Sequence, residues 1–420
     1  MKTMTKDEYI PRLIDKWMKI DLNAIGAIFI EGPRGCGKTS TGEFFSKTVF
    51  KLDKNNEIRL KAENTPEILF ANDKPILIDE WQLVGSIWNA VRNEIDNQRQ
   101  QGLFILTGSS APKDDKTRHT GVGRIGRLKM TPMSLYESKN SSQEVNFANL
   151  FNKEQSKEIK GGKEFKFKDY AYYIIRGGWP QYIQKDEESS ARNVKHYVNN
   201  LFDADLRYYK SRLSKSRLSA LIRSLSRNLS TNAALRTLAE DALIDSDTVR
   251  KYLDRLSDIY VLDELPVWNT HIRSSAKLRV KPKWHFTDPS IAAASLGINS
   301  DDLINELNTF GLFFESLAIR DIRAYAFYLD GEVSYYLDSS DLEVDAIVEM
   351  ADGRWAAFEM KLGGETLIEQ GAINLHLLKK RLNEKQLDKL ISLNVITAGN
   401  VSYTRPDGIN VIALGHLFVK

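Results

Sequence analysis

Cysteine is almost absent. Cys36 is the only one in 420 residues, which excludes an internal disulfide framework and suits a reducing compartment, the cytoplasm. Also missing is any apolar run near the roughly 20 residues that span a bilayer, so no membrane association is expected. The opening residues, MKTMTKDEYIPRLIDKWMK, lack the apolar core of a signal peptide. Charge of one sign is scarce too: the net value of +3 does not by itself imply a polyanionic partner. What remains is an ordinary globular composition, 42% apolar and 27% charged. The chain is too long for one ordinary core, so two or three domains are expected.

The first third carries the densest signal. Ala27-Ile28-Phe29-Ile30 reads as a buried strand, followed by Glu31, GPRGCGKTS and an amphipathic stretch. Gly32 to Thr39 fit G-x-x-x-x-G-K-[ST] in the strand–loop–helix context that the motif requires. Gly32, Gly35 and Gly37 let the backbone curl so that its N–H groups converge on phosphate at a helix N-terminus. Lys38 then reaches the β- and γ-phosphates, and Thr39 offers its hydroxyl to Mg²⁺. The whole run, with Pro33, Arg34, Cys36 and Ser40, is expected to line ATP. A second apolar strand, Pro75 to Ile78, ends in Asp79-Glu80. Asp79 suits a water-mediated hold on Mg²⁺, and Glu80 the orientation of the attacking water. A third, Gly102 to Leu106, ends in Thr107-Gly108-Ser109-Ser110, small hydroxyls on the sheet edge where ligands bind.

GPRGCGKTS, ILIDEWQ and FILTGSSAP, in that order, resemble AAA-type P-loop ATPases. The resemblance implies ATP hydrolysis, with Thr107 or Ser109 as the sensor of the γ-phosphate. It also matches Gly123-Arg124 to the Gly-Arg step that carries an arginine finger, Arg124 first and Arg127 second. A finger supplied in trans implies self-association.

The middle is charge-patterned. Lys153 to Lys168 reads as a surface loop or linker, and Tyr170 to about Asn228 as mostly helical, broken at RGGWP. Between Leu206 and Glu240 there is no acid, against Arg207, Lys210, Arg212, Lys215, Arg217, Arg223, Arg227 and Arg236. From Thr231 the pattern predicts two helices with a turn at Ile244-Asp245 and Ser246 as N-cap of the second. A strand from Val261 to Trp268 follows, then a stretch holding Arg273, Lys277, Arg279, Lys281 and Lys283. Helix–turn–helix plus a basic hairpin resembles a winged helix, although Asp247 and Asp254 beside Arg250, Lys251 and Arg255 make its second helix mixed in sign. Sequence-independent phosphate contact is the expectation.

The last segment raises a question of geometry. A helix from about Asn308 to Tyr325 carries Glu315, and the strand VSYYL follows. Two β-rich runs then flank ADGR in VDAIVEMADGRWAAFEMK, with Asp345 on the first and Glu359 and Lys361 on the second. A helix from Glu365 to Lys385 and two more strands complete the order. Glu359 and Lys361, two apart on a strand, share a face. Asp345 shares it only if the loop has three residues, Ala351-Asp352-Gly353, with Gly353 left-handed and bulged. The order helix–three strands–helix–strand, with Asp345, Glu359-Met360-Lys361 and Glu315, resembles the PD-(D/E)XK nuclease superfamily. The resemblance implies Mg²⁺ or Mn²⁺ on Asp345 and Glu359, with Lys361 on the attacking water.

The expected fold class is therefore α/β multidomain. It comprises a P-loop NTPase domain of AAA type with a parallel sheet (1–150), a helical connector (151–230), a winged-helix-like domain (231–300) and a restriction-endonuclease-like α/β domain (301–420). The chain resembles a group of prokaryotic AAA-type ATPases with such a C-terminal domain. Two functions are expected to compete: an ATPase acting on nucleic acid, DNA ahead of RNA, with ATP-coupled cleavage within reach; or an ATP-operated switch whose last domains bind a protein partner.

Overall fold

Short apolar runs that are buried on both faces satisfy the condition for parallel strands covered by helices. In the first third such runs form the three inner strands β1 (Ala27–Glu31), β3 (Ile76–Asp79) and β4 (Phe104–Gly108), and the less buried β2 (Thr48–Lys51) and β5 (Ile125–Lys129) flank them at the edges. All neighbours pair in parallel, in the order β2-β3-β4-β1-β5. The computed structural model describes residues 8–108, 121–204, 215–268 and 282–420. These divide into two compact units: residues 1–132 with 258–260, and residues 133–257 with 261–420.

In the first unit, helices Lys38–Phe45, Asn56–Asn64 and Ser86–Gln98 connect the strands. Phe29, Trp81, Trp88 and Phe104 fill the core between sheet and helices. Phe29 meets both tryptophans edge-on at 5.9 and 6.0 Å between centroids. The strand order sets β4 between β1 and β3. The residues at their C-terminal ends, Glu31, Asp79 and Thr107-Gly108, therefore lie side by side.

The second unit begins with two minimal strands, β6 (Val145–Asn146) and β7 (Lys160–Gly161). Its helices include Phe167–Arg176, Lys215–Arg227, Leu235–Ala242 and Ser246–Asp258, the last ending at the boundary of the unit. An antiparallel pair follows, β8 (Leu262–Leu265) with β9 (Lys283–Phe286). The helix Leu307–Tyr328 leads into β10 (Gly331–Leu337), β11 (Glu343–Met350) and β12 (Trp355–Lys361). Helix Glu365–Arg381 then crosses to β13 (Leu390–Thr397), followed by β14 (Ser402–Thr404), β15 (Asn410–Ala413) and β16 (Leu417–Phe418). Seven of these strands make one sheet, β10-β11-β12-β13-β15-β14-β7, parallel at β12–β13–β15 and antiparallel elsewhere. Ala357, Ala372, Leu375, Leu393 and Val395 pack the crossing helix onto it.

Three local expectations are corrected. Lys153–Lys168 is not merely a loop, because it supplies β7 to the edge of the large sheet. The helix expected to run to Lys385 stops at Arg381, since Leu382 is extended and Asn383 caps a new helix, Glu384–Lys389, by accepting from Gln386 N. The cap of helix Ser246–Asp258 is Asp245 rather than Ser246: its Oδ1 accepts from Thr248 N at 2.8 Å. Arg207, Lys210, Arg212, Ser109, Arg273, Lys277, Arg279 and Lys281 lie outside the described residues. No helix among the described residues is long and apolar enough to cross a membrane.

Candidate functional site

The phosphate loop is shaped by its glycines. Gly32, Gly35 and Gly37 all have positive φ, at 148°, 78° and 109°. A Cβ on Gly32 would stand 2.1 Å from Met130 O, so no side chain fits there. Lys38 opens the helix and is 6% exposed; its Nζ donates to Gly32 O and Pro33 O, each at 2.8 Å, lying back over the loop. Thr39 Oγ1 donates to Asp79 Oδ1 at 2.9 Å, and Thr107 Oγ1 donates to the same oxygen. Of the two sensor candidates, Thr107 thus sits beside Asp79, opposite it in the β3–β4 register.

Glu80 follows Asp79 with φ 56° and ψ 43°, a left-handed backbone that a non-glycine residue adopts at a cost in strain. Gln82 Nε2 donates to its Oε2. Burial, and then the charge of Asp79, push the Glu80 carboxyl above its usual range, with Lys38 pulling it back. Asp79 is raised as well, by burial, against the hydroxyls of Thr107 and Thr39. A carboxylate made more basic next to the phosphate loop is suited to drawing a proton from water.

Arg124 is not among the residues gathered here. Its Nε donates to Asp96 Oδ1 at 2.8 Å, on helix Ser86–Gln98, and its side chain is 46% exposed. Arg127 lies over the rings of Phe29 and Trp88, 3.9 Å from Glu31 Oε2. Two residues went unread in the sequence: Arg12 Nη1 donates to Cys36 O at 2.7 Å, bracing the loop, and Gln82 holds Glu80. Arg12 stands 24 positions from its partner and carries no local signal.

Residues 25–139 match the family model described as AAA domain. Residues 25–139 are an AAA-type ATPase-like domain. Two further models match downstream, each described as a domain of unknown function: DUF8612 over residues 167–302 and DUF4143 over residues 310–417. Among curated proteins the chain is similar to Uncharacterized protein Rv2008c of Mycobacterium tuberculosis and Uncharacterized protein Mb2031c of Mycobacterium bovis. Each is 20% identical over 345 residues, covering 81% of this chain and 71% of the relative. Among solved structures it is similar to the replication initiator DnaA bound to AMPPCP and single-stranded DNA. There the identity is 14% and the TM-score 0.31, over 60% of this chain and 91% of that one. AMPPCP-bound DnaA from Aquifex aeolicus is similar at 14% identity and a TM-score of 0.31, over 61% and 92%.

A second site lies in the second unit, on the hairpin β11–β12. Its loop has the three expected residues. Met350 N donates to Arg354 O and Gly353 N to Met350 O, both at 2.8 Å, and Gly353 has φ 80°. The ladder runs from Glu349↔Trp355 to Ala346↔Phe358; one further step of the same register sets Asp345 opposite Glu359, which gives Asp345, Glu359 and Lys361 one face. Gly371 lets the helix Glu365–Arg381 approach: its Cβ position is 3.4 Å from Glu359 Cβ.

The three side chains are in contact. Asp345 Oδ2 accepts from Met360 N at 2.7 Å and stands 3.7 Å from Lys361 Nζ. Glu359, 1% exposed, sets Oε2 2.6 Å from the same ammonium, while Asn374 Nδ2 donates to its Oε1 at 3.3 Å. Glu315, on helix Leu307–Tyr328, does not meet Lys361 directly. Its Oε1 faces Lys283 Nζ at 3.4 Å, and Glu343 Oε1 faces that nitrogen at 2.5 Å. Lys283, Glu343 and Asn374 are the members that the sequence reading missed.

Burial, and then the charge of Asp345, push Glu315 and Glu359 up to about 8. Both lysines are raised: burial opposes their charge, but Glu315 with Asp345 and Glu343 outweighs it at Lys283, and Asp345 with Glu359 at Lys361. Among the described residues no three His, Cys, Asp or Glu side chains converge as a ready metal cluster. The point on which Asp345 and Glu359 converge holds a cation all the same, the ammonium of Lys361. Two hard carboxylate groups turned to one positive charge fit a divalent cation in its place.

Proposed function

We propose that the chain is a Mg²⁺-ATP hydrolase acting on nucleic acid, DNA ahead of RNA, through a restriction-endonuclease-like domain that cleaves phosphodiesters. In this reading residues 1–150 are the ATPase domain and 151–230 a connector. Residues 231–300 are winged-helix-like, and 301–420 are the nuclease-like domain. The observation that carries it is the hairpin register: with Asp345 opposite Glu359, both acids and Lys361 meet on one sheet face, between a helix bearing Glu315 and a crossing helix. The helix–three strands–helix–strand order supports the same reading.

In the nucleotide site, Lys38 leaves the loop carbonyls for the β- and γ-phosphates, and Thr39 and Asp79 would hold Mg²⁺. That ion supplies neutralisation of phosphate charge when bound. Glu80 positions and polarises the attacking water, and Thr107 reports the γ-phosphate to Asp79. Arg124, engaged with Asp96 on its own subunit, acts as a finger in trans. In the acidic site Asp345 and Glu359 would hold Mg²⁺ or Mn²⁺, which supplies Lewis-acid activation of water and phosphate. Lys361 turns from the carboxylates to orient that water and to offset charge on the phosphate.

A specific observation favours a second reading, an ATP-operated switch whose last domains bind a protein partner without cleavage. Two internal ammonium groups already balance the acids, and the exposed Asp247 and Asp254 on helix Ser246–Asp258 stand beside Arg250 and Lys251. Plasmid and single-strand cleavage with Mg²⁺ or Mn²⁺, with and without ATP, separates the two. Cleavage lost in Asp345→Ala, together with salt-sensitive binding, is the expected result. Absence of both cleavage and DNA binding would leave the switch.

A further inference from the structure

We propose that Lys283 restricts the acidic site to a single divalent cation. The inference rests on Asp345 and Glu359 being a cation site. The four acids divide into two pairs, each facing one ammonium: Asp345 and Glu359 face Lys361, while Glu315 and Glu343 face Lys283. Both pairs could in principle exchange their lysine for a metal. The two lysines differ in their freedom to leave.

Lys361 ends β12, and its side chain is 21% exposed, so it can turn into solvent when a cation arrives. Glu359 Oε2 is then left facing the incoming ion, because the ion pair with Lys361 is its only polar partner among the described residues. Lys283 is delivered from β9, outside the strands that carry the acids, and is 1% exposed. Its Nζ is also 5.4 Å from the centre of the buried Tyr335 ring. A buried ammonium that left these carboxylates would be stranded without a counter-charge. Position 283 therefore acts as a fixed internal cation where a second metal would bind. A two-metal site clamps both attacking and leaving oxygens; here one divalent ion works beside a permanent positive charge.

Calorimetric titration of MnCl₂ into the nucleotide-free full chain tests this. Wild type is expected to bind one Mn²⁺ that Asp345→Asn removes, Lys283→Gln two, and Lys283→Arg one. Should Lys283→Gln prove unfolded by circular dichroism, Lys283→Met, which keeps the apolar stem and both carboxylates of Glu315 and Glu343, takes its place with the same expectation of two ions. Two Mn²⁺ in wild type, or one at unchanged affinity in folded Lys283→Gln, would overturn the role of Lys283 while leaving the cation site standing. No Asp345-dependent Mn²⁺ in any variant would instead remove the cation site itself, and the inference with it.

Discussion

Replacing His285 by leucine should flatten the acid limb of the stability profile of the second unit. His285 stands on β9, two residues beyond Lys283 and on the same face, 1% exposed. Neither ring nitrogen has a hydrogen-bond partner among the described residues. Burial holds its pKa well below 6.5, and the positive charges of Arg323 and Lys283 add to that. The imidazole is therefore neutral in the folded state across the range where the unfolded chain takes up a proton. Above pH 6.5 both states are neutral and the residue adds no slope. As pH falls below 6.5, only the unfolded state gains a proton, and stability drops by about 1.4 kcal/mol per pH unit until the folded pKa is reached. Summed from neutrality, the loss is about 1.4 kcal/mol at pH 5.5 and about 2 kcal/mol at pH 5. Leucine has no such proton to take up and leaves no polar atom unpaired. The assay is urea unfolding by tryptophan fluorescence at pH 7.5 and 5.5, read as variant minus wild type so that all other titrating groups cancel. The variant is expected to gain about 1.4 kcal/mol relative to wild type between the two conditions. Equal losses in the two proteins would refute a buried neutral histidine.

The nucleotide site yields further outcomes. Lys38→Ala should lose ATP binding in a fluorescent-nucleotide titration, and Glu80→Gln should bind ATP normally while turning it over at least ~10²-fold more slowly in a phosphate-release assay. Normal turnover in Glu80→Gln would show that another group positions the water. Thr107→Val removes a hydrogen bond to the Asp79 carboxylate and should lower the stability of the first unit by about 1.5–3 kcal/mol in chemical denaturation. Arg124→Ala should reduce turnover by ~10³-fold or more, and mixing it with Lys38→Ala, which retains the arginine, should restore activity. No recovery on mixing would argue against a finger supplied in trans.

What was legible in the sequence was what chain-local rules control. The phosphate loop is a fixed spacing whose glycines must take positive φ, and the structure has all three there. The parity of a strand fixed which loop could unite Asp345 with Glu359, and the loop has that length. Lys283 could not be found this way. Its partners Glu315 and Glu343 are far along the chain, and its sequence neighbourhood reads as one more basic stretch. The β7 strand is only two residues long, too short to show alternation. Asp245 and Asn383 were within reach: the cap of the first lies one residue before the expected one. The second begins an Asn-x-x-Gln capping box inside what otherwise continues as helical composition.

The pairing of β7 with β14 decides how this protein can be taken apart. A fragment starting at residue 301 would keep β14 but lose the strand that covers its outer side. It would also lose β6, the parallel partner of β16. Bared backbone donors and acceptors on such a strand recruit other chains, so the excised piece should aggregate however sound its interior is. A fragment beginning before Val145 carries both partners with it. Vectorial synthesis meets the same difficulty: the segment around residue 160 emerges long before Ser402–Thr404 exists, and waits unpaired until nearly the whole chain has been made.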